Sequence, residues 1–342
     1  MTTTLTIVQA GPALTIQDLG RAGWLAQGLT KGGAADPVAI HEGAALLGQS
    51  PDLAAIEMTG TGGTFTADAD IRIALTGASM AAKIDGDPIA WNAGHLLPAG
   101  AKLTIGGATS GTYGYLHIGG GIASDPVLGA RATHLSAGLG AALKSGDSFP
   151  VGPDKGRETG MKLPRDTRFD GGVVRVVASM QTDRFAPEER ERFIATQFAR
   201  DPRANRMGVR MDHDGAGFHA EGGLTILSEV IVPGDIQITG DGAPFVLMGE
   251  SQTTGGYPRI GTVIPRDLPR VAQAPAGTKI TFEFVTLEQA ITLETQHRRD
   301  VKALPGQLTA LVRDPATIRN LMEYQLVGGA VSAKENPFEK DA

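Results

Sequence analysis

The chain has 342 residues, a formal net charge of −6, 41% hydrophobic and 20% charged residues, and no cysteine. That length suits one or two globular domains, and the acidic balance leaves no footprint for nucleic acid or an anionic membrane. The missing thiols exclude a disulfide scaffold, a cysteine nucleophile and thiolate metal sites, and they fit the cytoplasm. With 47 glycines and 5% aromatic residues, the composition points to many short strands joined by tight turns.

The N-terminal MTTTLTIVQAG has neither a basic stretch nor a long apolar run, so no signal peptide is read there. Asp36-Pro37 opens the first helix, with Asp36 as N-cap, Pro37 at the first position and Gly48 as the stop. The alternation in IRIALTGASMAAKIDG and TYGYLHIGGG reads as strands and turns. Leu103 to Ser124 has no Asp, Glu, Lys or Arg and is long enough to span a bilayer. Its Gly, Thr and Ser content and His117 make it soluble strands instead. Residues 152–172 are polar, charged and Gly/Pro-containing, and read as a linker. Beyond it, GGVVRVVAS, LTILSEVIVPGDIQITGDG and PFVLMGE again read as strands. Ala186 to Arg200 is expected as a second helix, opened by Pro187 and stopped before Pro202. Thr286 opens a third with a T-x-x-Q capping box. Asp314-Pro315 opens a fourth, with Ile318, Leu321, Met322 and Gln325 on one face.

An internal repeat runs through this pattern. PAGAKLTI (Pro98 to Ile105) and PAGTKITF (Pro275 to Phe282) share five identical positions. RAG at Arg21 precedes KGG at Lys31 much as RMG at Arg206 precedes PGD at Pro233. The matching order favours duplication of a mostly β domain.

No Walker A pattern, no G-x-G-x-x-G after a strand and no G-x-S-x-G elbow is present, so no self-contained nucleotide site or familiar triad is visible. The stretch QTTGGYP offers the Gln252 amide, the Thr253 and Thr254 hydroxyls and the Gly255 and Gly256 backbone N–H groups, followed by Tyr257 and Pro258. Such donors hold a carboxylate or polarise a carbonyl; the competing reading is a turn with left-handed glycines. Arg206 is a candidate bidentate carboxylate clamp, against a structural arginine, and Arg259 a second candidate, against a side chain pointing to solvent. Gln17, Asp18 and Arg21, with Gly32, Gly33 and Asp36, are read as a matching rim from the first half. Asp18 could equally close a turn, and Asp36 could equally cap the helix. Asp212, His213, Asp214, His219 and Glu221 gather possible ligands at a spacing that matches no metal motif, so no metal site is expected. Lys162 in GMKLP lacks the flanking strands of a biotin-attachment hairpin.

In family order, the blocks TIQDLGRAGW, GGAADP, LTGA, PAGAKLTIG, YGYLHIGGGI, PVLGARATHL, LKSGD, NRMGVR, EVIVPGDIQI and QTTGGYPRIGTVIPRDLPRVAQ run from Leu14 to about Val285. On these blocks the chain resembles the allophanate hydrolase subunit 2, or biotin-dependent carboxyltransferase-like, family. That family includes the C-subunit type of 5-oxoprolinase and the carboxyltransferase domain of urea carboxylase. The departures are Lys31 where Pro is usual, Ala35 where Met is usual, His134 in place of Tyr or Phe, and a longer MDHDGAGFHAEGG loop.

The resemblance implies a mostly β protein with a few helices, built as two cyclophilin-like β-barrel domains related by pseudo-twofold symmetry. The first barrel would take residues 1–151, the linker 152–172 and the second barrel 173–300. A C-terminal helical segment and tail would follow over 301–342. It also implies two partners. One is an allophanate hydrolase subunit 1-like chain of the 5-oxoprolinase B-subunit type, and the other is a LamB/YcsF-like A-subunit. ATP would be used at the level of the complex to hydrolyse a cyclic amide such as 5-oxoproline. The alternatives it carries are biotin-dependent carboxyl transfer to urea or a related amide, and a non-enzymatic regulator that binds subunit 1. No catalytic residue is assigned to this chain.

Overall fold

The computed structural model describes residues 2–156, 158–223 and 226–312. Helix α1, Pro37–Leu47, starts where its capping residues place it: Asp36 Oδ1 accepts from the amides of Val38 and Ala39, and Gly48 closes it in the left-handed conformation. Helix α2, Pro187–Ala195, is shorter than expected. Thr196 leaves the helix, and Phe198–Arg200 becomes a strand that pairs Phe198 with Ile280 and Arg200 with Met211. Fully buried Phe198 belongs to the core, so tertiary packing overrides local helix preference there. A short helix with no strong start signal in the sequence, α3 (Leu268–Gln273), follows a 3₁₀ turn in the PRDLPRVAQ segment. Helix α4, Leu287–Ala303, opens on the expected reciprocal capping box of Thr286 and Gln289. The helix expected from Asp314 lies outside the described residues.

The remaining regular structure is mostly β. The second half closes as a seven-stranded barrel, completed by a parallel pairing of Gly172–Val177 with Lys279–Phe284. The first half is an eleven-stranded sheet whose two longest strands, Ile71–Ile84 and Leu103–Ile118, run antiparallel side by side. The second strand covers most of the uncharged stretch noted in the sequence, and among the described residues no helix is long and apolar enough to cross a membrane. Barrel closure is thus seen in one half, while the other curls around its own core without a closed ladder.

The repeated blocks adopt the same turn. Gly100 and Gly277 both have positive φ, 75° and 79°. Their amides donate 2.8 Å hydrogen bonds to Ala67 and Arg200 respectively, each at the end of a strand. Phe65 pairs with Leu103 in the first half as Phe198 pairs with Ile280 in the second.

Two hydrophobic cores result. One packs Leu5, Ile7, Ile56, Phe65, Leu75 and Ile118 under the first sheet. The other packs Phe193, Phe198, Phe218 and Phe282 in the barrel, and it extends across to Ile40, Tyr113 and Tyr115 of the first half. Each fully buried aromatic or aliphatic side chain contributes roughly 1.5–3 kcal/mol of transfer free energy, so this shared cluster fixes the two halves against each other. The segment read as a linker is tied down as well. Met161–Lys162 joins the first sheet between Ala93–Leu97 and Thr309–Ala310, and Asp154 pairs with Arg72.

Candidate functional site

The expected rim of the first half is assembled. The chain at Gln17–Arg21 lies against Lys31–Ala34, with Ala34 N donating to Asp18 O at 2.8 Å and Arg21 N to Lys31 O at 2.9 Å. The approach needs glycine on both sides: a Cβ on Gly33 would stand 2.7 Å from Gly20 N. Asp18 closes its turn through Gly20 N, 2.8 Å, and also accepts from Arg131 N, 2.6 Å. The second half meets this rim with Gly249–Ser251, immediately before Gln252. Gly32 N donates to Gly249 O at 3.0 Å, Thr30 Oγ1 to Ser251 O at 3.1 Å and Ser136 Oγ to Glu250 O at 3.0 Å.

Arg206 bolts this junction together. Its Nε donates to Glu250 at 2.5 Å, its Nη1 pairs with Glu57, and its Nη2 donates to Gly33 O at 2.5 Å. Glu57 in turn accepts from Ala35 N and from the Tyr115 hydroxyl, at 2.8 and 2.7 Å. Burial opposes the charge on Arg206, but Glu57 and Glu250 outweigh it and raise its pKa. The clamp expected for a substrate carboxylate is therefore occupied by the protein's own carboxylates.

Asp36 takes the capping role: Oδ1 caps α1, while Oδ2 is occupied within the protein, accepting from Arg168 Nε and Gln273 Nε2 at 2.7 and 2.8 Å rather than facing a pocket. Arg168 also grips buried Glu42, whose pKa burial raises against the opposing pull of Arg168.

Arg259 does not point to solvent. It is buried and anchors a ribbon, contacting Val230 O at 2.9 Å, Glu229 at 2.8 Å and Asp235 at 3.2 Å. That ribbon is QTTGGYP itself: Thr254–Gly255 pairs with Glu229–Val230, and Ile226 N and Ile231 N donate to Gly256 O and Thr253 O. Neither Gly255 nor Gly256 has positive φ, so the left-handed turn expected as the competing reading is replaced by an extended strand. Gly255 is needed for closeness, since a Cβ there would lie 2.5 Å from Gln237 Nε2. Gln252, Thr254 and Tyr257 are exposed on the ribbon, whereas Pro258 is buried behind it.

Open hydrogen-bonding capacity sits instead at the rim. Among the described residues six buried side-chain polar atoms lack a partner, and three of them are Gln17 Oε1, Arg21 Nη1 and Ser251 Oγ. Such atoms mark places for a ligand or ordered water. Arg21 is buried, held by Ala132 O through Nη2 and by Val127 O through Nε. Burial lowers its pKa, and Asp18 and Glu250 oppose that. It also lines a cavity of about 370 Å³ with Arg131, Asp125, Thr133, Leu143 and Phe149. The loop walling this cavity, roughly residues 119–147, is far longer than an ordinary connection, and irregular loops of that length usually serve a function.

Beside Arg21 stands His134, one of the departures seen in the sequence. The Thr30 hydroxyl donates to Ser251 O, so it accepts from His134 Nε2 at 2.9 Å, and Nδ1 accepts from Ala137 N. This is the neutral imidazole. Burial lowers its pKa, Arg21 and Arg206 reinforce that, and Glu250 opposes it from 4.0 Å.

The site thus has fixed donors and acceptors around a cavity. Glu57, Glu250, Tyr115 and Arg131 were not singled out from sequence. The available signal was a lone acid in an apolar run, in AIEMT and MGES. The other polar loop goes elsewhere: His213 packs on Phe198 and Phe218, Asp212 pairs with Arg210, and among the described residues no three acidic or histidine side chains gather as a metal cage.

Residues 27–284 match the family model described as carboxyltransferase domain, subdomain A and B. The C-subunit of the Escherichia coli 5-oxoprolinase is 32% identical over 309 residues, covering 89% of this chain and 98% of that protein. Its Haemophilus influenzae counterpart, also a 5-oxoprolinase C-subunit, is 31% identical over 287 residues, covering 83% and 92%. The urea amidolyase of Saccharomyces cerevisiae is 26% identical over 329 residues, covering 89% of this chain but 18% of that one. In fold, the crystal structure of the Kluyveromyces lactis urea carboxylase superimposes with a TM-score of 0.77, at 21% identity over 91% of this chain and 31% of that one.

Proposed function

The chain belongs to the carboxyltransferase domain family, subdomain A and B, and from that membership we propose that it acts as the C-subunit of a 5-oxoprolinase-type complex. With a subunit 1-like chain and a LamB/YcsF-like chain in the cytoplasm, it would convert 5-oxoproline to glutamate at the expense of ATP. Coverage supports this over the urea reading: the match spans 98% of the Escherichia coli protein but 18% of the yeast amidolyase.

The observation that carries the chemistry is Arg21. It is a buried guanidinium with an unpartnered Nη1 and a cavity beside it, suited to a small carboxylate. A five-membered lactam acid presents one carboxylate, one amide N–H and one carbonyl. Arg21, the unpartnered group that lines the cavity, suits the first. In this reaction the γ-phosphoryl group of ATP activates the lactam oxygen and water adds to the carbon. The ring C–N bond then breaks, with the nitrogen leaving as a protonated amine, and a second water releases phosphate. This chain's share is to hold and orient the substrate, and no catalytic residue is assigned to it. QTTGGYP, in this reading, is a ribbon of the second half that carries exposed donors and lines no part of this cavity.

The fold likeness to urea carboxylase favours one second reading, in which the same cavity receives carboxybiotin and an amide acceptor. The test is turnover by the co-expressed complex. Glutamate formed from 5-oxoproline only when ATP and this chain are both present is the expected result. Carboxylation of urea from carboxybiotin, with no lactam opening, would replace the first reading by the second.

A further inference from the structure

Helices α1 and α4 enclose a cleft of about 590 Å³ that shares no residue with the cavity beside Arg21. Half-buried Val38 and Val301 line it together with half-buried His41 and His297, and exposed Arg298, Arg299 and Lys302 border it. Its one acidic lining residue is Glu294, whose Oε1 already accepts from Arg266 N at 2.6 Å. A second cavity of about 310 Å³ shares Val38, His297 and Val301 and so continues the cleft toward Glu42, Asp166 and Asp300.

Several buried arginines elsewhere in this protein are matched by carboxylates, as in Arg168 with Asp36 and Glu42 or Arg206 with Glu57 and Glu250. Among the described residues no carboxylate comes within 4.0 Å of the side-chain nitrogens of Arg298, Arg299 or Lys302. His41 has a lowered pKa through burial, then through His297 and Lys31, with Asp52 opposing. His297 is lowered through burial, then Arg266, with Glu294, Asp300 and Asp166 opposing.

We propose that this cleft binds a phosphorylated small molecule. The three cations Arg298, Arg299 and Lys302 outnumber Glu294, the one carboxylate lining the cleft, and they suit a group carrying two or more negative charges. The apolar surface of Pro37, Val38 and Val301 suits the uncharged part of such a ligand. The volume fits a nucleotide-sized molecule. Bound phosphate would in turn favour the protonated forms of His41 and His297, so affinity rises as pH falls through their lowered pKa values. The carboxylates that face these rings, Asp52 for His41 and Glu294, Asp300 and Asp166 for His297, moderate this rise.

Calorimetric titration of the full chain with pyrophosphate, ATP, orthophosphate and adenosine tests the proposal. Pyrophosphate or ATP should bind and adenosine should not. ATP binding more tightly than pyrophosphate identifies a nucleotide ligand, and equal binding identifies the phosphates alone. The double variant Arg298→Glu, Lys302→Glu changes only exposed positions, and should melt like the wild type while binding at least about tenfold more weakly. His41→Gln with His297→Gln should retain binding at pH 8 and lose the tightening at pH 5.5. Unaltered affinity in the Arg298/Lys302 variant, adenosine binding as well as ATP, or no binding of any phosphate at millimolar concentration would each overturn it.

Discussion

Replacing Arg206 by Met tests the junction directly. The guanidinium holds Glu57, Glu250 and Gly33 O together across the two halves, and Met keeps much of its volume without the charge. Glu57 and Glu250 are 1% and 2% exposed, so the variant leaves two buried carboxylates uncompensated. Removing one partner of a buried ion pair costs about 3–5 kcal/mol. For a protein of this size each kcal/mol lowers Tm by about 2–4 °C, so the expected fall is about 6–20 °C by calorimetry at pH 7. Adding Glu57→Gln to Arg206→Met should recover part of the loss, since the two sites are coupled. A Tm fall under about 2 °C, or strictly additive single and double variants, would refute the claim that Arg206 is a structural bolt.

Three further outcomes follow from the same geometry. His117 is fully buried and donates to Thr76, and burial lowers its pKa to about 3. Its folded value lies below its unfolded one, so stability falls as pH drops from about 6.5 toward 3, at about 1.4 kcal/mol per pH unit; urea unfolding of His117→Gln should show a flatter acid limb, and an unchanged limb would contradict this. Gly43→Ala places a methyl group inside the contact radius of the His117 ring, a clash between α1 and the first sheet worth about 1–3 kcal/mol, readable in urea midpoints. Thr286→Ala removes half of the capping box of α4 and should cost about 1 kcal/mol, seen as faster amide exchange in its first turn.

Features set by neighbours in sequence are legible without the structure. Asp36, Pro37 and Gly48 delimit α1, Thr286 and Gln289 open α4, and the two PAG blocks form matching turns, because each depends on contacts within a few residues. Phe198–Arg200 reads as helix in the sequence but is a strand, because its fate is decided by Ile280 and Met211, far away in the chain. The site shows the same division. Gln17 and Arg21 are marked by their motif, yet the partners of Arg206 lie 149 and 44 residues away, and no local pattern announces Glu57 or Glu250 as its companions. QTTGGYP looks like a donor loop because its composition carries donors; only the pairing with Glu229–Val230 reveals an extended ribbon anchored by Arg259.

The central claim is that the cavity beside Arg21 takes the carboxylate of a cyclic amide. Its most direct test compares 5-oxoproline with 2-pyrrolidinone, the same lactam without the carboxylate, using the complex carrying either wild-type chain or Arg21→Met. Wild type should prefer the acid by about 100-fold or more in kcat/KM, and the variant should lose most of that preference, as expected when a buried charge-assisted hydrogen bond worth about 1.5–3 kcal/mol or more disappears. A variant that discriminates between the two lactams as well as the wild type would contradict it.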